Sequence, residues 1–162
     1  MDAISKLARS ALAIVCLSGC LVGCSGGTYT PEVEQNIGLY LSGRSELITP
    51  RVIKVAIEYE DGSSREVTDG ARIALLSDAF AKSRQPSGTF VDPSGLPRTR
   101  VARIKLFFSD STTSPWLPIE NYPTLDLIDL SVPDSGVGGS SVYQLRGTMR
   151  WFSGLFEPTP RP

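Results

Sequence analysis

Carboxylates are the side chains of this chain best suited to do chemistry, because the chain contains no histidine. Ser-His-Asp and Cys-His catalysis and histidine-based metal sites are therefore excluded. Asp126 and Asp129 are close in sequence, but an odd separation on a regular strand directs two side chains to opposite faces. Glu58 and Glu60 would share a face beside a solvated turn. General acid–base catalysis needs two carboxyl groups with different pKa values in a cleft, and neither pair predicts a cleft.

Two other patterns resemble ligand or nucleophile sites but lack the context that these sites need. The glycine-rich segment 134–140 would bind phosphate only at the start of a helix. A strand-like segment follows it instead, so we predict a hairpin loop. No calcium-loop spacing and no Ser-x-x-Lys stretch occurs in the chain. We therefore expect no metal ion and no cofactor.

Aromatic residues in the second half of the chain indicate a contact surface. The candidate residues are Trp116, Tyr122, Tyr143 and Trp151. The prolines near them are Pro115, Pro118 and Pro123. Aromatic side chains beside loop prolines often contact peptides or glycans. Large aromatic side chains are also the ones that fill a core, so both interpretations stay open.

The N-terminal segment has the order of regions that is typical of a secretory signal. Lys6 and Arg9 come first, and an apolar run follows from Ala11 to Val22. This run is too short for a membrane-spanning helix, which needs about 20 apolar residues. A basic region, a short apolar region and a small residue before a cleavage point are the three signs of an exported protein.

The segment Leu-Val-Gly-Cys-Ser, which contains Cys24, resembles the lipobox of bacterial lipoproteins. The resemblance implies that Cys24 carries a diacylglycerol thioether and an N-acyl chain, of the palmitate type, after cleavage. The segment that ends at Cys20 fits the same pattern and is the alternative, although it leaves a shorter apolar region. Ser25 after the cysteine implies delivery to the outer membrane, facing the periplasm, if the cell has two membranes.

Composition narrows the remaining function classes. Without Lys6, Arg9 and Asp2, the chain holds 14 basic and 16 acidic residues, a net charge of −2. This balance does not favour a nucleic-acid partner, which requires a basic surface. The cysteines all lie in the N-terminal segment, at Cys16, Cys20 and Cys24. The domain after Cys24 is therefore expected to have no disulfide.

A hairpin followed by a helix is the clearest structural unit in the sequence. Segment 51–60 alternates apolar and polar residues, as a half-buried strand does. An Asp-Gly turn follows, and 64–68 returns as the second strand. Thr68 or Asp69 then caps a helix over 70–83. Its core-facing residues are expected to be Ile73, Leu76 and Phe80.

Strand patterns continue on both sides of this unit. A strand at 37–42 is predicted, because Gly38 weakens the competing helix that Thr30-Pro31 would start. The later predicted strands are 100–109, 116–120, 125–132 and 142–147. The strand 116–120 is expected at a sheet edge because of Pro115 and Pro118. A loop at 85–99 and a bulge between Leu127 and Ile128 complete the prediction.

These patterns together predict an α+β fold. We expect a small antiparallel sheet of about five or six strands, in two hairpins, with one amphipathic helix on a face. The predicted division of the chain is a signal peptide at 1–23, a lipidated cysteine and tether at 24–36, one globular domain at 37–156, and a proline-rich tail at 157–162.

The function predicted from the sequence is that of a lipid-anchored cell-envelope protein. We expect a binding or accessory module, held at the membrane by lipid, for an envelope protein or a cell-wall polymer. The alternatives are a carboxylate-dependent hydrolase of envelope glycans and a structural surface lipoprotein without a discrete ligand. The hydrolase would need two facing acids about 5–10 Å apart in a groove.

Overall fold

The computed structural model describes residues 29–85, 91–92, 95–136 and 139–157. The predicted signal peptide at 1–23, the lipidation candidates Cys24 and Cys20, and the tail from 158 lie outside the described residues. Within the described part, no helix is long and apolar enough to cross a membrane.

The protein has the predicted α+β fold. The helices are α1 (Pro31–Leu41), α2 (Gly70–Ser83) and α3 (Met149–Gly154). The strands are β1 (Val52–Tyr59), β2 (Ser64–Val67), β3 (Thr99–Phe108), β4 (Leu117–Tyr122), β5 (Leu127–Pro133) and β6 (Ser140–Arg146). All pairings are antiparallel, and the six strands form one sheet in the order β2-β1-β3-β4-β5-β6.

The two faces of the sheet differ in character. The inner face carries the buried apolar residues, such as Ile57, Ile104 and Leu130, and it packs against the helices. The outer face carries polar residues such as Arg103 and Glu120. Three helices contribute to the core. Their aromatic side chains meet at Phe80 of α2, whose ring lies 6.1 Å from the rings of Tyr40 in α1 and Phe152 in α3.

The predicted hairpin and central helix are confirmed. Strands β1 and β2 pair antiparallel across the Asp-Gly turn, where Gly62 has a φ of +81° that a side chain would disfavour. Asp69 is the N-cap of α2 and accepts a hydrogen bond from the Arg72 N–H at 2.8 Å. The expected stripe faces the core, because Ile73, Leu76 and Phe80 are buried. The turn residues, the helix cap and the apolar spacing were therefore sufficient to predict this hairpin and helix from the sequence.

The strand predicted at 37–42 is wrong, because these residues belong to the last turns of α1. The Thr30 hydroxyl accepts the Val33 N–H at the start of the helix, and Pro31 occupies its first turn. Ile37 and Tyr40 are buried at helical spacing. Gly38, which argued for a strand, lies where a Cβ would come within 3.3 Å of the Tyr143 hydroxyl. The predicted tether is also too long, because α1 begins at Pro31 and Val33 is buried.

Strand β4 lies inside the sheet, between β3 and β5, and not at the predicted edge. Pro118 does not exclude β4 from the interior of the sheet, because its effect is confined to one end of the strand. Pro118 pairs with Arg103 of β3, while the ladder with β5 begins only at Ile119. The residue without an N–H therefore lies where β4 has a neighbour on one side only.

The bulge predicted between Leu127 and Ile128 is absent, since β5 pairs regularly with both neighbours in the described residues. Both residues are buried because both faces of β5 are covered. The irregular pairings lie in β1, between 52 and 54, and in β3, between 100 and 102. The first removes Ile53 from the alternation and leaves it 51% exposed.

Candidate functional site

A pocket of about 570 Å³ lies on the outer face of the sheet, below the segment that joins α2 to β3. We call it the loop pocket. The side chains that matter for its chemistry are Leu96, Arg98, Glu120, Tyr122, Asp129 and Val142. Its volume lies within the range of about 300–1,000 Å³ that is usual for small-molecule sites. The pocket combines a base of polar strand residues with a side wall that the loop supplies.

Gln144 of β6 attaches the loop to the sheet. Its side chain accepts the Val91 N–H at 2.9 Å and donates to the Val91 carbonyl at 2.8 Å. The Gln144 carbonyl accepts the Gln85 N–H at 2.9 Å, at the point where the loop leaves α2. Gln144 is itself buried, with 3% of its surface exposed. A buried amide that matches both backbone groups of Val91 gives this residue a defined position against the sheet.

Two carboxylates face each other across the base of the loop pocket. Glu120 of β4 and Asp129 of β5 are directly paired, which places their Cβ atoms about 4.5–5.5 Å apart on the same face. Arg98 donates from Nη1 to Oε2 of Glu120 at 2.9 Å. The Tyr122 hydroxyl lies 3.4 Å from the same oxygen. Glu120 is thus paired with a cation, while Asp129 has no ion pair among the described residues.

Burial dominates the ionisation of Asp129. Only 6% of this residue is exposed. Desolvation raises the pKa of its carboxyl above the ordinary value, and the nearby Glu120 carboxylate raises it further. Polar contacts with Gln144 and Tyr122 and the charge of Arg98 act in the opposite direction. The neighbouring acids of the pair therefore have different environments.

The raised pKa of Asp129 predicts a pH-dependent effect of Asp129→Asn on stability. Between about pH 3.9, where an unfolded aspartate titrates, and the higher folded-state pKa, the folded protein holds a proton that the unfolded chain has lost. The contribution of this group is complete below that window and is lost as the pH rises through it. We expect the variant to gain stability over the wild type as the pH rises to neutrality.

The measurement is urea unfolding of both proteins at several pH values, with Asp126→Asn as the matched control on an exposed turn. Groups with a lowered pKa, such as Asp61 with its hydrogen bonds from Ser63, have the opposite slope but contribute equally to both proteins. A difference between Asp129→Asn and wild type that does not change with pH would contradict the assignment.

The carboxylate pairs considered from the sequence, Asp126 with Asp129 and Glu58 with Glu60, do not come together in one site. Glu58 forms a two-oxygen ion pair with Arg103, and Glu60 and Asp126 are exposed. Glu58 is three strands from Asp129, which is roughly 14 Å. The glycine-rich segment 134–140 joins β5 to β6, as predicted, so that a strand follows it.

The four candidate aromatic residues are divided between the two sides of the sheet. Trp116 is half-buried below Arg103 and Lys105, whose charged groups lie 4.6 and 5.7 Å from its ring. Tyr122 is almost fully buried in the wall of the loop pocket. The remaining two belong to the helix side of the sheet.

Tyr143 pairs with Leu130 on the inner face, and the guanidinium of Arg84 lies 4.9 Å from its ring. Trp151 of α3 is half-buried and contacts Phe152, with 6.3 Å between the ring centroids. The core interpretation therefore describes these two residues better than the contact-surface interpretation. Tyr122 is the candidate that the structure places in a site.

Sequence reasoning missed Glu120 as the partner of Asp129. The signal that could have found it is the short turn between Tyr122 and Leu127, which pair with each other. Counting outward from that pair along an antiparallel hairpin brings Glu120 opposite Asp129. The described residues contain no group of three or more acidic, histidine or cysteine side chains arranged for a metal ion.

No protein-family model, curated protein or solved structure matches this chain. The assignment of a function therefore depends on the residues of the site itself.

Proposed function

We propose that this protein is a lipid-anchored binding or accessory module of the cell envelope, and that the loop pocket is its binding site. The observation that carries the proposal is the loop pocket itself. It is a cavity of suitable volume built on a regular sheet, with a few polar groups that converge in it. The ligand is a small molecule, or a projecting group of an envelope protein or cell-wall polymer.

The geometry supports binding better than hydrolysis. A carboxylate-dependent hydrolase needs both acids open to the substrate, one to donate a proton and one to attack or activate water. Glu120 is engaged by Arg98 at 2.9 Å, and one carboxyl oxygen of Asp129 is fully covered by protein. Such groups are better arranged to orient a ligand than to react with it.

A lipid anchor at Cys24 would suit this role. Six residues separate Cys24 from the first residue of α1, and extended chain spans at most about 3.3–3.6 Å per residue. The first residue of α1 would thus lie within roughly 25 Å of the lipidated cysteine. Confinement near the membrane raises the effective concentration of ligands located there, so that a weak pocket suffices.

A substitution that fills the loop pocket tests the proposal. Val142 lies at the pocket, is 39% exposed, and belongs to the edge strand β6, which tolerates an aromatic residue. We expect size-fractionated envelope extract to stabilise the wild type by about 2.7 kcal/mol when a ligand is present at ~100-fold above its Kd. Val142→Trp should abolish this stabilisation.

Ile53→Trp is the matched control, because it places the same side chain at an exposed strand position away from the pocket. It should retain the full stabilisation, measured by thermal unfolding of the full chain in detergent. If Val142→Trp responds like the wild type, the loop pocket is not the binding site. If no fraction stabilises the wild type, the binding function itself is contradicted.

A further inference from the structure

One edge of the sheet is open along the first part of β6. This strand pairs with β5 on one side over its whole length. On the other side, the Gln85 N–H donates to the Gln144 carbonyl at 2.9 Å, so the end of β6 has a second partner there. Among the described residues nothing continues this pairing toward Ser140, and residues 140–142 are exposed. We call residues 140–143 the free edge.

Two residues of the free edge direct their backbone groups away from the sheet. Backbone groups of residues two positions apart on a strand point to the same side. The Gln144 carbonyl points away from β5, toward Gln85, and Val142 and Ser140 therefore do the same. These groups have no hydrogen-bond partner among the residues that the structure describes. A second extended chain could pair with them without displacing any bond of the sheet.

The free edge lacks the features that keep strand edges from pairing. Sheets protect their edges with charged residues, prolines, bulges or very short strands. The other edge strand, β2, has only four residues, and two of them, Arg65 and Glu66, are charged. The free edge has the sequence Ser-Ser-Val-Tyr, without charge or proline, and it pairs regularly with β5. This difference indicates that the free edge is available for pairing and the β2 edge is not.

A pocket lies on each face of the sheet beside the free edge. Ser140 and Val142 line the loop pocket on the outer face. Ser141 and Tyr143 line a second pocket of about 350 Å³, which α1 lines as well and which we call the helix-side pocket. Successive side chains of a strand point to opposite faces. The side chains of a strand added at the free edge would therefore enter the two pockets in turn.

The charges of the two pockets specify the side chains of such a strand. Asp92, Glu120 and Asp129 line the loop pocket together with one cation, Arg98. Glu34 lines the helix-side pocket. An acidic lining attracts basic side chains and repels acidic ones. It also disfavours a second copy of this chain at the free edge, because antiparallel pairing would bring the loop pockets of the two copies side by side.

We propose that the free edge binds an extended segment of another envelope protein, which adds to the sheet as a strand antiparallel to β6 and directs basic side chains into the loop pocket. This inference rests on the proposed binding function and names the class of partner. Backbone hydrogen bonds of the added strand supply affinity, and the two pockets supply side-chain preference. The antiparallel direction is the one in which Arg84 already pairs with Leu145.

The probe is a capped peptide of sequence Thr-Lys-Val-Lys-Thr, labelled with fluorescein and titrated into the full chain in detergent while its anisotropy is measured. When its lysines share a face with Val142, their N–H groups point toward β6. N-methylation of both lysine amides should therefore weaken binding by at least about tenfold. N-methylation of the valine and last threonine amides should leave the affinity unchanged. Glutamate in place of both lysines should abolish binding.

Val142→Pro should weaken binding of the unmethylated peptide by at least about tenfold. It removes the N–H that points away from the sheet and no hydrogen bond of the ladder with β5, so the domain should fold. Ser64→Pro is the matched control at the other edge. The Ser63 carbonyl accepts the Tyr59 N–H, so the N–H of Ser64 points away from β1. This variant should bind the peptide like the wild type.

The proposal is overturned if the unmethylated peptide does not bind the wild type, if the two methylated peptides bind equally, or if the lysine and glutamate peptides bind equally. These comparisons use the wild-type chain and decide the proposal even if Val142→Pro does not fold. A wild-type dimer in analytical ultracentrifugation that Val142→Pro dissociates would assign the free edge to a second copy instead. All these results leave the binding function standing, since Val142→Trp and Ile53→Trp test it without assuming a ligand class.

Discussion

Cys24→Ala is expected to abolish the incorporation of labelled palmitate into this protein, while Cys20→Ala leaves it unchanged. The thioether of a lipoprotein forms on the sulfur of the cysteine after the cleavage point, and alanine has no atom that can accept the lipid. Without the acyl chains, each of whose buried CH₂ groups contributes ~0.8 kcal/mol, stable anchoring is lost. The effect is all-or-none, and so it is the largest that we predict.

The measurement is metabolic labelling in a bacterial host, followed by the intact mass of the purified chain. A mature mass that begins at Cys24 and includes the lipid would support the assignment. Label that is lost in Cys20→Ala and kept in Cys24→Ala would move the lipobox four residues upstream. Label that is kept in both variants would contradict a lipidated cysteine at either position.

Phe80→Ala is expected to cause one of the largest losses of stability that truncation of a single core side chain can produce. Phe80 is fully buried, and its ring contacts Tyr40 and Phe152, so that it connects all three helices. Truncation of a buried phenylalanine costs about 3–5 kcal/mol, from lost burial and from the cavity that remains. Small domains have only ~5–15 kcal/mol in total.

Leu75→Ala in the same helix is the matched control, because Leu75 is 66% exposed. It should change the free energy of unfolding by no more than about 0.5 kcal/mol. Both variants are compared with the wild type by urea unfolding of the full chain. A cost below about 1 kcal/mol for Phe80→Ala would show that the aromatic contacts between the helices do not hold the domain together.

The elements that were predicted correctly are those with complete local signals. The Asp-Gly turn requires a positive φ that Gly62 supplies, and α2 has both its Asp69 cap and its apolar stripe. Such signals act between residues a few positions apart, so they are visible in the sequence directly. Helix α1 has the same kind of signals at Thr30 and Pro31, and in the folded protein they outweigh the unfavourable effect of Gly38 on a helix.

The burial of residues on β5 shows a case in which the local alternation of apolar and polar residues does not predict the structure. A strand with one wet face alternates, and a strand covered on both faces does not. Leu127 and Ile128 were interpreted as a bulge because the alternation fails there. The true cause is that the outer face of β5 is covered as well, which depends on residues distant in the chain.

The composition of the sequence and its local patterns determine which side-chain chemistry is possible in this protein and where some of its elements lie. The absence of histidine excludes whole classes of catalysis, the lipobox-like segment ending at Ser25 predicts the membrane anchor, and local patterns determine the hairpin and α2. Which side chains meet, in contrast, depends on the tertiary fold. Glu120 and Asp129 face each other because of strand register, and Arg98, which directly precedes β3, donates a hydrogen bond to Glu120. Register results from long-range packing, and a slip of one residue in either strand would turn the carboxylate of that strand to the opposite face.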